Sequence, residues 1–459
     1  MTPLDCFVDG AKDLTTIRLV SRDDLSEFVG AQPAHVGDWV KKLGFEAKQG
    51  TRCPVPDATG ALAEILVGIG DDGLRLGTLS ELPTGLAGGT YALEPTDLEN
   101  LDMALLGWAL GAYSFDRYKD MDRPDVRLIW PESAGRRSVE IAAEGTYLVR
   151  DLINTPAEDM GPSELAAAAR QVADEHGAAF TEIVGNDLLE ENYPAVHAVG
   201  RASDDPPRLV DILWGNPDAP KVTLVGKGVC FDTGGLDLKP ASGMKLMKKD
   251  MGGAAHVLGL AKMLMMKELD IRLRVLVPAV ENSVAGNALR PLDVVSTRKG
   301  LTVEIGNTDA EGRVILADAL AEAAGEDPEL LVDFATLTGA ARVALGTELP
   351  ALFTNDDDLA AALAAHGTDT EDASWRMPLW AGYRKMVDGK VADLTNAPEG
   401  GFGGAITAAL FLKEFAEPAR RWAHYDVMAW NTSSRPGRPE GGEAMGIRAL
   451  YAHIVSEFG

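Results

Sequence analysis

Apolar residues in the C-terminal two-thirds of the chain recur in short runs, and these runs alternate with longer segments of helical periodicity. The short runs predict β-strands over residues 210–214, 221–225, 272–277 and 330–335. The helical spacing predicts helices at about 253–267 and 314–325. Strands that alternate with helices of this length predict an α/β fold with a mixed, mostly parallel sheet flanked by helices.

The first 135 residues have a different pattern, in which short apolar runs are separated by turns rich in Gly and Pro. We predict a small N-terminal α/β domain here, with a helix over about 96–114 capped by Thr96 and a strand over 126–130. Segment 131–135 contains Pro and Gly and marks the boundary, so the predicted domains are 1–135 and 136–459. The second domain is predicted to begin with helices over 138–153 and from Ser163 to about residue 176.

Composition narrows the class of protein. With 459 residues, 46% of them hydrophobic, the chain can build large cores in two or three domains. It has no run of about 18 apolar residues, and its first residues lack the features of a signal peptide, so we expect a cytoplasmic protein with no membrane segment. Cys6, Cys53 and Cys230 form neither a disulfide framework nor a CxxC metal pattern, and we interpret them as reduced thiols.

The charge balance constrains the partners. The chain has 43 basic and 70 acidic residues, a formal net charge of -27. Such a surface repels the phosphate backbone of nucleic acids, so nucleic-acid binding is disfavoured, although a local basic patch is compatible with this balance. Neutral or cationic partners suit the overall field better than anionic ones.

The first candidate for chemistry is the heptapeptide NTDAEGR at residues 307–313. In an extended backbone, Asp309, Glu311 and Arg313 would point to one side. Two carboxylates this close raise each other's pKa unless a cation lies between them, and Gly312 would let main chain approach a ligand closely. Taken alone, the segment is also compatible with a solvated acidic loop that holds one salt-bridging arginine.

Upstream residues favour a metal site. A Gly-flanked loop with Lys227 and Asp232 directly follows the predicted strand 221–225, and Lys239 and Asp250 come next in the chain. Four carboxylates balance two divalent cations, which bridging carboxylates hold about 3.5–4 Å apart. Lys227 can ligate a cation as a neutral amine if that cation lowers its pKa. HExxH, GxxxxGK[ST] and a helix-heading GxGxxG are absent, which disfavours a histidine zinc site and a phosphate-binding loop.

Several segments together closely resemble the leucyl aminopeptidase family of two-metal exopeptidases, also called cytosol aminopeptidases. The resemblance covers roughly residues 138–430. The segments that carry it are NTDAEGR at 307–313, GKGVCFDTGG at 226–235, Lys239-Pro240, DMGGAA at 250–255, NTPA at 154–157, ATLTGA at 335–340 and GAITAALFL at 404–412.

The resemblance implies a site and a reaction. Lys227, Asp232, Asp250 and Glu311 would hold one metal ion, and Asp232, Asp309 and Glu311 would hold the other. Lys239 and Arg313 occupy the two catalytic positions, with bicarbonate on Arg313 as general base. A water that bridges the metals would then attack the first peptide bond of a substrate with a free α-amine, and Leu or another apolar first residue is expected. The implied substrate pocket comprises Met247, Thr336, Gly339 and the carbonyl of Leu337.

The resemblance also implies a small N-terminal α/β domain before the catalytic one, and a homohexamer. The first 135 residues contain no motif match, and segments 428–436 and 441–446 differ from the usual family segments, so the side-chain preference stays open. Carboxylates suit Mn²⁺ or Mg²⁺, and Zn²⁺ accepts them together with an amine, so the metal stays open as well. We interpret His424, which lies near Asp426, as a core histidine.

Two other functions remain to be tested. A two-metal phosphoesterase could use the same pair of ions, but the chain lacks a histidine ligand set and a basic substrate channel. A non-catalytic scaffold would be indicated by a lost ligand or catalytic position, and none is missing. A DNA-binding role, as in some members of the family, is opposed by the net charge.

Overall fold

The structure is a computed structural model of the chain, and it describes residues 2–459. These residues form two compact units. One comprises residues up to 147 together with 433–440, and the other comprises 148–432 together with 441–459. The two units divide between residues 147 and 148, inside helix Arg136–Asn154. The predicted domain boundary between residues 135 and 136 stays a prediction.

The N-terminal unit is built on a six-stranded sheet in the order β1-β6-β5-β2-β4-β3. All pairs are parallel except β3 with β4. Trp108, which is fully buried, lies in the core of this unit and donates its indole N–H to the carbonyl oxygen of Cys6. The elements are β1 Phe7–Val8, β2 Thr15–Val20, α1 Arg22–Ala31, α2 Ala34–Lys42, β3 Arg52–Pro56, β4 Leu62–Gly68, α3 Leu82–Gly85, β5 Gly89–Leu93, α4 Leu101–Ala112, β6 Val126–Ile129 and α5 Arg136–Asn154.

The second unit contains a nine-stranded sheet in the order β16-β15-β18-β14-β9-β11-β8-β7, with β10 paired to β11. Its centre, from β11 through β9 and β14 to β18, is parallel, and β7, β8 and β15 run antiparallel to their neighbours β8, β11 and β18. The prediction of a mixed, mostly parallel sheet is therefore confirmed. Two small sheets, β12-β13-β17 and β19-β20, complete the strands of this unit.

The elements of this unit up to the end of the heptapeptide helix are α6 Pro162–Glu175, β7 Ala179–Val184, α7 Asp187–Glu190, α8 Pro194–Gly200, β8 Arg208–Gly215, β9 Lys221–Gly226, β10 Gly228–Asp232, α9 Ala241–Met244, α10 Gly252–Lys267, β11 Arg272–Asn282, β12 Val294–Ser296, β13 Thr302–Glu304 and α11 Glu311–Gly325. They are followed by β14 Leu330–Ala335, α12 Gly339–Leu345, β15 Ala351–Thr354, α13 Asp357–Asp369, β16 Trp375–Arg376, β17 Leu394–Thr395, α14 Gly404–Ala416, β18 Trp422–Asp426, β19 Trp430–Asn431, β20 Gly441–Gly442 and α15 Ile447–Phe458. Short 3₁₀ turns cover Ala157–Asp159, Met247–Met251 and Ala381–Val387.

Helices cover both faces of the large sheet. Val225 of β9 packs with residues of α8, α11 and α14 in one apolar cluster. The next residue, Gly226, faces α10, where an added Cβ would lie 2.5 Å from Val257 Cγ2. Because successive strand residues point to opposite faces, α10 lies on the other face from α11. Among residues 2–459, no helix is long and apolar enough to cross a membrane.

The predicted elements differ from the structure mainly at their ends. The helix predicted from residue 96 begins at Leu101, so Thr96 is not its cap; the Thr96 hydroxyl accepts instead from the Leu98 N–H in the preceding turn. The chain enters α4 through Asn100 at a φ of 63°, a left-handed conformation that Asn tolerates. The helix predicted from Ser163 begins at Pro162, because proline fits the first helical position.

Candidate active site

Lys227 follows β9 at the carboxyl edge of the sheet, where parallel α/β sheets bind ligands. Its backbone N–H donates to the Phe334 carbonyl of neighbouring β14, which fixes the point where the side chain leaves the strand. The Lys227 ammonium is buried, and it lies 2.6 Å from Asp250 Oδ2 and 3.0 Å from Glu311 Oε1. Lys227 is therefore the cation that joins two of the four predicted carboxylates.

Lys239 joins the other two carboxylates. Its ammonium lies 2.8 Å from Asp232 Oδ2, at the end of β10, and also forms an ion pair with Asp309. Asn282, the last residue of β11, donates to Asp232 Oδ1 at 2.8 Å and to Glu311 Oε2 at 3.4 Å. Carboxylate oxygens of Asp232, Asp309 and Glu311 lie within 4.8 Å of one another. The residues predicted as metal ligands thus come together in one cluster.

The heptapeptide does not have the extended backbone that was expected over residues 309–313. Asp309 lies in a turn, where its N–H donates to Asn307 Oδ1 at 2.8 Å, and Glu311 is the first residue of α11. A helix N-terminus favours a carboxylate at this position because its free N–H groups carry partial positive charge. Gly312 packs closely against the Lys227 side chain, since an added Cβ would lie 2.4 Å from Lys227 Cε.

The 3₁₀ turn Met247–Met251 holds Asp250 opposite β14. Thr336, directly after β14, donates its hydroxyl to Asp250 Oδ1 at 2.7 Å. Asp426, at the end of β18, accepts from the backbone N–H groups of Leu337 and Thr338 and from the Thr338 hydroxyl at 2.6 Å. Burial raises the pKa of Asp250, but Lys227 and Lys249 outweigh this effect, and the net shift is downward.

Charge compensation within the cluster is incomplete. Burial and, next, Asp232 raise the pKa of Glu311 to about 8, and burial raises the pKa of Asp309. Burial alone would lower the pKa of Lys227 and Lys239, but the surrounding carboxylates outweigh it and raise both pKa values. Two lysines therefore stay charged among four carboxylates. A nearby divalent cation would lower the raised pKa values of these carboxylates and so favour their ionised form.

The donor set fits divalent metal ions. Carboxylate oxygens are the ligands that hard cations prefer, and Zn²⁺ also accepts the amine nitrogen of lysine. The cluster is buried at Asp232, Asp250 and Glu311, and it is half-open at Asp309, so a substrate can approach from that side. The side chains of this chain can thus hold metal ions between Lys227 and Lys239.

Arg313, on the first turn of α11, is buried near the cluster. One guanidinium nitrogen, Nη1, donates to the Asn396 carbonyl at 2.6 Å, whereas Nε has no hydrogen-bond partner among residues 2–459. Burial lowers the pKa of Arg313 to about 10, so the guanidinium is charged at neutral pH. A buried cationic N–H without a partner fits a small anion.

The predicted pocket residues lie on segments around the cluster. Thr336 contacts Asp250 directly, and Met247 begins the 3₁₀ turn that contains Asp250. Leu337 is held by Asp426 through its N–H, and Gly339 begins α12. No atom lies within 4 Å of a Cβ added at Gly339, so this face of the helix is open.

Several supporting residues were not predicted from the sequence. Asn282 lies outside the strand that was predicted to end at residue 277. The observed strand β11 continues to Asn282, and a longer predicted strand would have placed its amide at the carboxyl edge of the sheet. Asn396, which binds Arg313 and accepts from the Gly306 N–H, carries no local signal. His424 pairs with Asp333, at 2.5 Å, rather than with Asp426, and it is fully buried in the sheet.

Comparisons with known proteins identify the family. The profile of the "Cytosol aminopeptidase family, catalytic domain" matches residues 147–451, and that of the "M17 aminopeptidase, N-terminal domain" matches 15–131. A probable cytosol aminopeptidase of Syntrophotalea carbinolica is 35% identical, with 99% of this chain and 97% of that protein aligned. One from a Geobacter species is 40% identical over 76% of this chain and 74% of that protein.

Solved structures agree. The cytosol aminopeptidase from Coxiella burnetii has a TM-score of 0.95 and 49% identity, with 99% of this chain and all of that chain covered. The bottromycin maturation enzyme BotP in complex with Mn has a TM-score of 0.86 and 35% identity, with 97% and 99% covered. The chain belongs to the cytosol aminopeptidase family and is a peptidase of the hydrolase class.

Proposed function

We propose that the chain removes the first residue from peptides with a free α-amine, using two divalent metal ions. The observation that carries the proposal is the cluster in which oxygens of Asp232, Asp309 and Glu311 lie within 4.8 Å of one another. Lys227, Asp232, Asp250 and Glu311 would hold one ion, and Asp232, Asp309 and Glu311 the other. Bound in a pair, such ions polarise a peptide carbonyl and lower the pKa of water.

The side chains of the chain would divide the remaining work. Lys239 stays protonated because Asp232 and Asp309 raise its pKa, so its Nζ–H groups can donate to an oxygen that becomes negative as the peptide bond breaks. The free Nε–H of Arg313 can bind bicarbonate, which would supply a proton acceptor. The carbonyl of Leu337 would accept from the α-amine of the substrate, which restricts cleavage to the first residue.

The pocket for the first side chain would be bounded by Met247, Thr336 and Gly339. Acceptance of Leu or another apolar residue stays a prediction that rests on the sequence resemblance. The choice between Zn²⁺ and Mn²⁺ also stays open; the Mn complex of BotP makes Mn²⁺ the first ion to try. A homohexamer and a cytoplasmic location are further proposals, and sedimentation of the purified protein tests the first.

The test is release of the chromophore from leucine para-nitroanilide by the purified protein. Chelator treatment should abolish release, and Zn²⁺ or Mn²⁺ should restore it. The same anilide with an acetylated α-amine should not be hydrolysed, because the amine then cannot bind. Metal-dependent hydrolysis of a phosphoester together with no hydrolysis of any aminoacyl anilide would contradict the proposal.

A further inference from the structure

Two cationic side chains near the proposed pocket lack partners among residues 2–459. Lys249 is 2% exposed, yet its ammonium forms neither a hydrogen bond nor an ion pair with any residue that the structure describes. Arg342, on α12, is half-buried, and its Nη1 is a buried nitrogen with no hydrogen-bond partner in the described chain. Burial and, next, the positive charge of Arg342 lower the pKa of Lys249 to about 7, so the guanidinium is near enough to repel the ammonium. Burying two cations together without partners is unfavourable.

Carboxylates near Lys249 are already engaged. Asp250 uses one oxygen for the Thr336 hydroxyl and the other for the Lys227 ammonium at 2.6 Å. Asp426 accepts two backbone N–H groups at Oδ1 and the Thr338 hydroxyl at Oδ2. These hydrogen bonds hold both carboxylates on the 336–338 turn. No ion pair joins either carboxylate to Lys249 or Arg342, although the charges of Asp250 and Asp426 act on Lys249 at longer range.

Both cations lie on the segments that bound the pocket. Lys249 shares the five-residue turn Met247–Met251 with Met247. Arg342 stands three residues after Gly339 on α12, and residues at this spacing share a helix face. The face at Gly339 is open, since no atom lies within 4 Å of a Cβ added there. The segments that would surround the first side chain of a substrate thus also carry the two unpaired cations.

We propose that Lys249 and Arg342 bind the side-chain carboxylate of an acidic first residue, so that the chain selects peptides that begin with Glu or Asp. The inference rests on the proposed function and specifies its substrate class. A carboxylate between the two cations neutralises their repulsion and accepts charge-assisted hydrogen bonds from both. Arg342 supplies a planar donor pair that matches a carboxylate, and Lys249 supplies a point charge. The apolar preference expected from the resemblance is the competing outcome.

The test compares the α-anilides of Glu, Gln and Leu with the metal-loaded enzyme. Glu and Gln have nearly the same shape, so the ratio of their kcat/KM values isolates the charge. We expect a ratio of about 10- to 100-fold in favour of Glu, the usual effect of a charge-assisted hydrogen bond. Lys249→Met and Arg342→Leu should each reduce the ratio, and Arg342→Lys should retain part of it.

Lys248→Met is the matched control, because it removes the same charge one residue away. Lys248 donates to the Asn154 carbonyl at 2.6 Å and lies over the Trp430 ring, so its head group has partners already. This variant should leave the Glu-to-Gln ratio unchanged. Circular dichroism identifies any variant that fails to fold, and the more exposed Arg342 then still provides the test.

Other outcomes are distinguishable. Hydrolysis of the Leu anilide with a Glu-to-Gln ratio near one would overturn the inference and leave the proposed function standing. A Glu-to-Gln ratio near one together with faster hydrolysis of Leu-Gly than of Leu-Gly amide would also overturn the inference. The two cations would then bind the C-terminal carboxylate of a dipeptide. If no anilide is hydrolysed, the proposed function fails, and calorimetry decides the inference: tighter binding of L-glutamate than of L-glutamine supports it, and equal binding overturns it.

Discussion

Two groups of buried or half-buried cations lie in the second unit, and they differ in what the chain provides for them. Lys227 and Lys239 each contact two carboxylates. Lys249 and Arg342 form no ion pair with a carboxylate in the part of the chain that the structure describes, although Lys249 is the residue directly before Asp250. The carboxylates around the first group carry more negative charge than its two lysines neutralise, so this site suits metal cations. The second group is positive charge that forms no ion pair within residues 2–459, so it suits an anionic substrate group.

The comparison also explains how a chain of net charge -27 can favour an acidic substrate. The overall field repels anions, but fields from exposed charges are screened within about 10 Å at ordinary salt. Recognition then depends on the few charges that lie in the pocket. Higher ionic strength weakens the repulsion by the surface more than the attraction by buried groups.

The largest expected effect tests the carboxylate cluster. Asp309→Ala should abolish hydrolysis of every aminoacyl anilide, because it removes a ligand from the cluster of three carboxylates. Folding should be retained, since the Asp309 side chain is about one-third exposed. Activity is measured with saturating Mn²⁺ and Zn²⁺, and folding by circular dichroism. Asp358→Ala, on the exposed first turn of α13, is the control. Full activity of Asp309→Ala would remove this cluster from the chemistry.

The second prediction separates the roles of the two groups of cations. Lys239→Met should lower kcat by about 10²- to 10³-fold with little change in KM, as expected for a group that stabilises charge only in the transition state. It should lower the rates for Glu and Gln anilides equally, whereas loss of Lys249 should change their ratio. Exposed Lys245→Met serves as the control. An increase in KM at unchanged kcat would assign Lys239 to substrate binding instead.

Sequence was sufficient for the parallel centre of the sheet and for the residues that form the carboxylate cluster. Strand 330–335 was predicted with the bounds of β14, because a continuous apolar run between helical segments has one simple interpretation. The carboxylates and Lys227 were found because they lie in short motifs next to strand ends. The predicted extended backbone at 309–313 was wrong, since the alternating charges were interpreted without the helix that begins at Glu311.

Lys249 and Arg342 could not have been found in this way. Lys248 and Lys249 are adjacent and chemically identical, yet the first donates to the Asn154 carbonyl, whereas the second is buried and has no hydrogen-bond partner among the described residues. Which of the two is buried depends on the 3₁₀ turn, and its short length leaves no periodicity to detect. The surroundings of Arg342 depend on the position of α12, whose cap Thr338 is held by Asp426, 84 residues after Arg342 in the sequence.

The third prediction concerns a buried base whose partners are complete. His256 Nδ1 donates to the Gly252 carbonyl at 2.6 Å, and Nε2 accepts from the Met445 N–H, so the ring is neutral. Burial lowers its pKa to about 4, below the usual value of about 6.5. The unfolded chain therefore binds one proton more between these pH values, and stability is full above pH 6.5 and falls as the pH drops toward 4.

This contribution should reach on the order of 3 kcal/mol at low pH. Urea unfolding of the metal-free protein at several pH values measures it, because the chelated state removes the pH dependence of metal binding. His256→Gln should be less stable at pH 7 and should lose this part of the pH dependence. His35→Gln, at an exposed position, controls for the substitution. An unchanged pH profile in His256→Gln would mean that other groups cause the acid sensitivity.

The smallest expected effect tests why Lys249 stays unpaired. The Thr338 hydroxyl accepts from the Ala341 N–H at 3.0 Å as the cap of α12, and it is the donor to Asp426 Oδ2. Thr338→Val keeps the shape but removes the hydroxyl, which should cost about 1–2 kcal/mol of unfolding free energy. Asp426 Oδ2 then lacks its donor and becomes available to Lys249, so the Glu-to-Gln ratio should fall, though less than in Lys249→Met. Thr338→Ser, which keeps the hydroxyl, should restore both values. If Thr338→Val loses stability but keeps the full ratio, the engagement of Asp426 by Thr338 is not what leaves Lys249 free for a substrate.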